Sequence, residues 1–113
     1  MMTKVLFVCT GNICRSPSAE GVFRHLIKEA GLAEVVGIDS AGTHNFHLGE
    51  GADPRALAAA RKRGYEIAEH VARQVTPEDY REYDLILAMD WENLSAMQQQ
   101  CPKLHQHKLM LLM

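Results

Sequence analysis

At 113 residues and 47% hydrophobic content, the chain is long enough to bury a core as one domain spanning 1–113. Its formal charge of -2 excludes the general basic field that nucleic-acid or anionic-membrane binding requires, so neither is expected as a partner. No run approaches about 18 apolar residues, and Met1-Met2-Thr3-Lys4 leads straight into an apolar stretch, which reads as neither a membrane span nor a signal peptide. Three cysteines, an odd number, favour a reducing cytoplasm with thiols doing chemistry over a disulfide framework.

Val5-Leu6-Phe7-Val8 predicts a buried strand. After a loop over Cys9 to Ser16, the spacing of Ala19, Val22, Phe23, Leu26, Ile27 and Ala30 predicts a helix with one apolar face. Ser16 suits its N-cap, Pro17 its first position, Glu20 its first turn and Gly31 its stop. Val35 to Asp39 predicts a second strand, so the first three elements form a right-handed βαβ unit with parallel strands. Ser40 to Ala52 reads as a long loop, Asp53-Pro54 as a helix start with Gly64 closing the helix, and Tyr65 to Val75 as irregular. Thr76-Pro77 opens a short helix, and Tyr83 to Met89 is a third strand. Asp90 caps a helix whose Trp91, Leu94 and Met97 form an apolar side until Cys101-Pro102, with His105 and His107 in the run-in to a fourth strand from Lys108. The expected class is therefore α/β: a four-stranded parallel sheet with flanking helices, with the loop after the first strand, whose residues are read below as phosphate-binding, at its carboxyl end. Ligands bind beyond the carboxyl ends of such strands, where Cys9, Ser40 and Asp90 stand.

The loop Cys9-Thr10-Gly11-Asn12-Ile13-Cys14-Arg15-Ser16 carries the chemistry. Backbone N–H groups of a tight loop, continued by those of a helix start, make a concave anion site. Gly11 permits an unhindered backbone, and Arg15 offers a planar fork of donors to two oxygens of a tetrahedral anion. A thiol at the mouth of that cradle faces the anion it holds, which makes Cys9 the expected nucleophile. Ser16 can donate to its sulfur. A zinc reading of Cys9 and Cys14 fails because Cys-x4-Cys has no second ligand pair at suitable spacing. No metal or cofactor is expected.

This loop resembles the signature of the low-molecular-weight protein tyrosine phosphatases. The resemblance continues through Asp39-Ser40-Ala41-Gly42-Thr43, Ala52-Asp53-Pro54-Arg55-Ala56, Ala72-Arg73-Gln74-Val75 and Asp84-Leu85-Ile86-Leu87-Ala88-Met89-Asp90. Val8 separates the chain from the larger tyrosine phosphatases, which carry histidine before the nucleophile. The resemblance implies phosphotyrosine-protein hydrolysis through a cysteinyl-phosphate, with Cys9 as nucleophile, Arg15 as phosphate clamp, and inorganic phosphate or a similar oxyanion as ligand. It implies that Asn12, Ser16, Ser40 and His70 form a network supporting the loop, and that Phe46 and His47 belong to the substrate rim. It also implies that Cys14 can close a protective disulfide with Cys9.

The family carries an Asp-Pro general acid and a final helix after the fourth strand, and this sequence stops before them; Asp53-Pro54 matches a different family block. The expectation is then a domain incomplete at its C-terminus, impaired on phosphotyrosine and prone to self-association. Two alternatives stay open. One is arsenate reductase of the same fold, for which Ala88 and a single downstream Cys101 leave the thiol relay incomplete. The other is a non-catalytic phospho-ligand module.

Overall fold

A computed structural model of the chain describes residues 2–67 and 69–112. In order it forms β1 (Thr3–Cys9), α1 (Arg15–Glu29), β2 (Val36–Gly42), α2 (Pro54–Lys62), α3 (Pro77–Glu82), β3 (Leu85–Ala88) and α4 (Trp91–Gln100), then a 3-10 turn (Lys103–Lys108) and β4 (Leu109–Leu111). The four strands are all parallel and lie in the order β2-β1-β3-β4, the α/β sheet with flanking helices expected from the sequence. From β1 the chain steps to one side for β2 and to the other for β3. That reversal opens a crevice beyond the carboxyl ends of β1 and β3.

Both faces of the sheet are covered, which is why β1 is apolar without alternation. Leu6 and Val8 point to one face and pack with Ile86, Ala88, Leu94 and Met97 beneath α4. Phe7 points to the other face, its ring edge-on to Phe23 of α1 at 5.6 Å. Each such side chain contributes about 1.5–3 kcal/mol on burial, so the central strand is fixed from two sides. Among the described residues no helix is long and apolar enough to cross a membrane.

Several boundaries differ from the sequence reading for physical reasons. Helix α1 begins at Arg15 with Cys14 at the N-cap and no side-chain cap bond, so Ser16 is its second residue rather than its cap, and Glu20 lies beyond the first turn. The Ser16 hydroxyl is instead committed to Cys9. Leu26, placed by periodicity on the buried face, is 54% exposed. Helix α1 overlies β2, which is an edge strand and leaves part of the apolar stripe without sheet beneath it. Trp91 is 72% exposed, and Leu94 and Met97, together with Asn93, take the inward side of α4. His105 and His107 lie in the 3-10 turn, not in an extended run-in to β4. There Gln106 donates to the carbonyls of Gln98 and Cys101, both at 2.8 Å, which satisfies the end of α4 and folds the following residues back.

Candidate active site

Cys9 is the last residue of β1 and is buried. The chain then turns through the loop and enters α1. The turn needs one left-handed residue, and Asn12 supplies it at φ 58°. That conformation aims the Asn12 N–H at Cys9 Sγ, 3.2 Å away. The Asn12 side chain is itself fully engaged. Its Oδ1 accepts the backbone N–H of Arg73 at 2.9 Å, and because a backbone N–H can only donate, this fixes which way round the amide lies. Nδ2 then donates to Ser16 Oγ at 2.9 Å and to Ser40 Oγ at 3.0 Å.

The direction of every later bond follows. Ser40, accepting from Asn12, sends its hydroxyl hydrogen to Glu20 Oε1 at 2.6 Å. Ser16, also accepting from Asn12, has its hydrogen left for Cys9 Sγ at 3.0 Å. The sulfur therefore receives two hydrogen bonds, one from a backbone N–H and one from a hydroxyl, an environment that favours negative charge on it. His70 Nε2 meets the Asn12 carbonyl at 2.5 Å and closes the network from outside.

Four hydrogen bonds from three neighbouring segments pin the loop, three of them to its main chain. The Cys9 carbonyl accepts from Thr43 N–H at 2.8 Å, the Thr10 carbonyl from His44 N–H at 3.0 Å, and the Ile13 carbonyl from Asp53 N–H at 2.7 Å. Thr10 Oγ1 accepts from Asn93 Nδ2 of α4 at 3.0 Å. A side chain on Gly11 would meet His47 Cδ2 at 2.8 Å, so glycine is what lets His47 lie over the loop. Phe46 is 67% exposed and stacks on His44, ring centroids 4.9 Å apart, rather than on the loop. Cys14 is exposed at the loop's far end.

Arg15 opens α1, and its Nη1 donates to Asp90 Oδ2 at 2.6 Å. That bond raises its already high pKa, so it stays a cation at any working pH. The Asp90 carboxyl is held below its usual range, first by the N–H of Asn93 and then by Arg15. As expected from sequence, Asp90 caps α4, accepting from Asn93 N–H at 2.8 Å.

The structure thus joins Cys9, Asn12, Ser16, Ser40 and His70 in one bonded network and sets His47 against Gly11. Cys101 stands apart at the far end of α4, about 16–17 Å along the helix from Asp90 at 1.5 Å per residue. Burial pushes its thiol pKa up. Glu20, Arg73 and Asn93 were not anticipated. Ser16, Glu20 and Arg24 do stand four apart on one helical face, a spacing that marks Glu20 as facing the loop side. Arg73 lies in a segment without periodicity, and its block Ala72-Arg73-Gln74-Val75 marked the resemblance without assigning it a role.

Comparison with known proteins decides the family. Residues 4–113 match the description low molecular weight phosphotyrosine protein phosphatase.

The chain belongs to the low molecular weight phosphotyrosine protein phosphatase family.

A low molecular weight protein-tyrosine-phosphatase of Streptomyces coelicolor is 48% identical over 102 residues, covering 90% of this chain and 62% of its own length. A low molecular weight phosphotyrosine protein phosphatase of Schizosaccharomyces pombe is 46% identical over 114 residues, covering 97% of this chain and 72% of its own length. The chain thus spans about three fifths to three quarters of these family members. Among solved structures, a protein tyrosine phosphatase from Entamoeba histolytica with Hepes in the active site superposes with a TM-score of 0.94 at 39% identity. That match covers 96% of this chain and 69% of the other.

Proposed function

We propose that this chain acts as a phosphotyrosine protein phosphatase through a covalent cysteinyl-phosphate. The observation that carries the reading is the sulfur of Cys9, buried at the end of β1 and hydrogen-bonded by Asn12 N–H and Ser16 Oγ at the start of α1. The thiolate attacks phosphorus in line. An S–P bond forms as the bond to the aryl oxygen breaks, and the phenolate leaves with a proton from a general acid. Asp90 is unsuited to supply that proton, because Asn93 and Arg15 hold it ionised. The loop N–H groups and Arg15 take the charge spread over the equatorial oxygens. For this, Arg15 shares its fork between Asp90 and the phosphoryl group. Water then cleaves the S–P bond and releases inorganic phosphate, and Ser16 stabilises the departing thiolate.

The substrate class is phosphotyrosine in proteins, with His47 and the exposed Phe46 forming the rim. Free thiols at Cys9 and Cys14 suit a reducing cytoplasm, and under oxidant the pair closes a disulfide that shields the nucleophile. A thiol relay of the arsenate-reductase kind would need Cys101, which is buried in the core under α4.

Cys9→Ser tests the reading. Rapid-quench mixing with p-nitrophenyl phosphate is expected to trap phosphorus on Cys9 in the parent chain and none in the variant, which still binds oxyanions. Phosphate trapped on another residue, or turnover by Cys9→Ser, would overturn it.

A further inference from the structure

The first turn of α4 touches both ends of the loop. Asp90 takes Arg15 at 2.6 Å, and Asn93 sends Nδ2 to Thr10 Oγ1 at 3.0 Å. Asn93 is almost wholly buried. Its backbone N–H already completes the helix cap on Asp90 Oδ1 at 2.8 Å, so the side chain is not needed to start the helix. The other end of its amide, Oδ1, is buried and has no hydrogen-bond partner among the described residues. A buried acceptor left unmet is destabilising, and leucine, branched at the same carbon, would remove it. The fold alone does not account for an asparagine here.

The bond to Thr10 does. Thr10 follows the nucleophile, and its main chain is already fixed through its carbonyl to His44 N–H at 3.0 Å. What the main chain leaves open is the direction of the hydroxyl hydrogen. An amide nitrogen only donates, so Asn93 fills a lone pair on Thr10 Oγ1 and leaves that hydrogen to point elsewhere. Asn93 Oδ1 does not take it. Thr10 is only partly buried, so its free hydrogen is open to a ligand in the crevice.

We infer that Asn93 is a positioning residue of the oxyanion site, turning the Thr10 hydroxyl into an additional donor to the anion in the loop. The inference rests on the reading of that loop as a phosphate site.

The test is a titration with inorganic phosphate followed by tryptophan fluorescence. Trp91 is the sole tryptophan and opens the same turn as Asn93. Asn93→Leu and Thr10→Val are each expected to weaken the phosphate Kd about tenfold. The double variant should be no weaker than either single one, since both act through the same Thr10 hydroxyl. Thr10→Ser should recover most of what Thr10→Val loses. The melting temperature of Asn93→Leu should hold or rise, because an unmet acceptor goes with the amide.

Unchanged phosphate binding in Asn93→Leu overturns the inference. So does a hundredfold loss in the double variant, or a fall in melting temperature that parallels the loss of affinity. If the parent chain binds no phosphate, the reading of the loop fails and takes the inference with it. Normal binding by the parent together with an indifferent Asn93→Leu removes the inference alone.

Discussion

Asn12 shows how much one side chain carries at this site. It supplies the left-handed turn at φ 58°, one of the two donors to Cys9 Sγ, and bonds to Ser16, Ser40 and Arg73. Two substitutions separate these roles. Asn12→Gly keeps the turn and the backbone donor but leaves the Arg73 N–H unmet, which should cost on the order of 2 kcal/mol in a urea titration. Asn12→Ala adds a left-handed residue with a Cβ and should cost roughly 1–2 kcal/mol more. If the two variants unfold at the same urea concentration, the turn is not the strained point. Arg15 carries a different burden. Lysine in its place keeps the charge but cannot hold Asp90 and a phosphoryl oxygen with one planar group, so kcat/KM on an aryl phosphate should fall about a hundredfold. Equal steady-state kinetics for Arg15→Lys and the parent chain would remove Arg15 from the phosphate.

At the level of elements, the loop takes its shape from what lies behind it as much as from its own residues. Strand β2 ends at Gly42, where an added Cβ would stand 2.6 Å from the Thr10 carbonyl oxygen and 3.2 Å from the Gly11 carbonyl carbon. Both are backbone atoms, so neither can swing aside. Gly42→Ala should therefore displace the loop, losing about 2–3 kcal/mol of stability and most phosphate affinity. Gly37, earlier on the same strand, would be crowded by the Met2 sulfur at 2.9 Å, the flexible end of a side chain, with Lys4 Cγ in ordinary contact at 3.7 Å. Gly37→Ala should cost under about 1 kcal/mol and leave phosphate binding alone, which calorimetry on the two variants compares directly. The same contrast explains what could be read from the sequence. Strand β1, its loop and α1 were readable because apolar period and turn chemistry are local signals, and the helix start at Asp53-Pro54 was readable for the same reason. The location of the α1 cap was not, because Ser16 is a good cap by type and only the distant Asn12 and Cys9 claim its hydroxyl. Exposure of Leu26 and Trp91 was likewise unreadable, since it depends on where the sheet ends beneath each helix.

Across the whole molecule, one cation ties the irregular segment after α2 to both the sheet and the loop. Arg73 donates to Asp39 of β2 at 3.1 Å and to both oxygens of Asp79 in α3 at 2.8 and 3.1 Å, while its own N–H holds Asn12. Asp79 also accepts Thr76 N–H at 2.7 Å, closing the capping box of α3. Burial pushes the Asp79 carboxyl up, but the hydrogen bonds from Arg73 and Thr76 outweigh it, and the pKa lies below the usual range. Arg73 moves the other way: burial opposes its charge, yet Asp79 and Asp39 raise its pKa, so it remains charged throughout. Because folding lowers the pKa of Asp79, the unfolded chain takes up that proton at higher pH than the folded one. The stabilisation is therefore complete above the ordinary aspartate value of about 3.9 and is lost as pH falls through the lower folded value. Asp79→Asn should thus cost on the order of 2 kcal/mol at pH 7, a partly buried pair with one member neutralised. The gap between parent and variant should close as the pH is lowered from 5 towards 2, with the parent losing stability faster. Urea titrations of both proteins across that range check the sign as well as the size. A gap that stays constant down to the lowest pH would mean that Asp79 acts through the shape of the capping box and not through its charge.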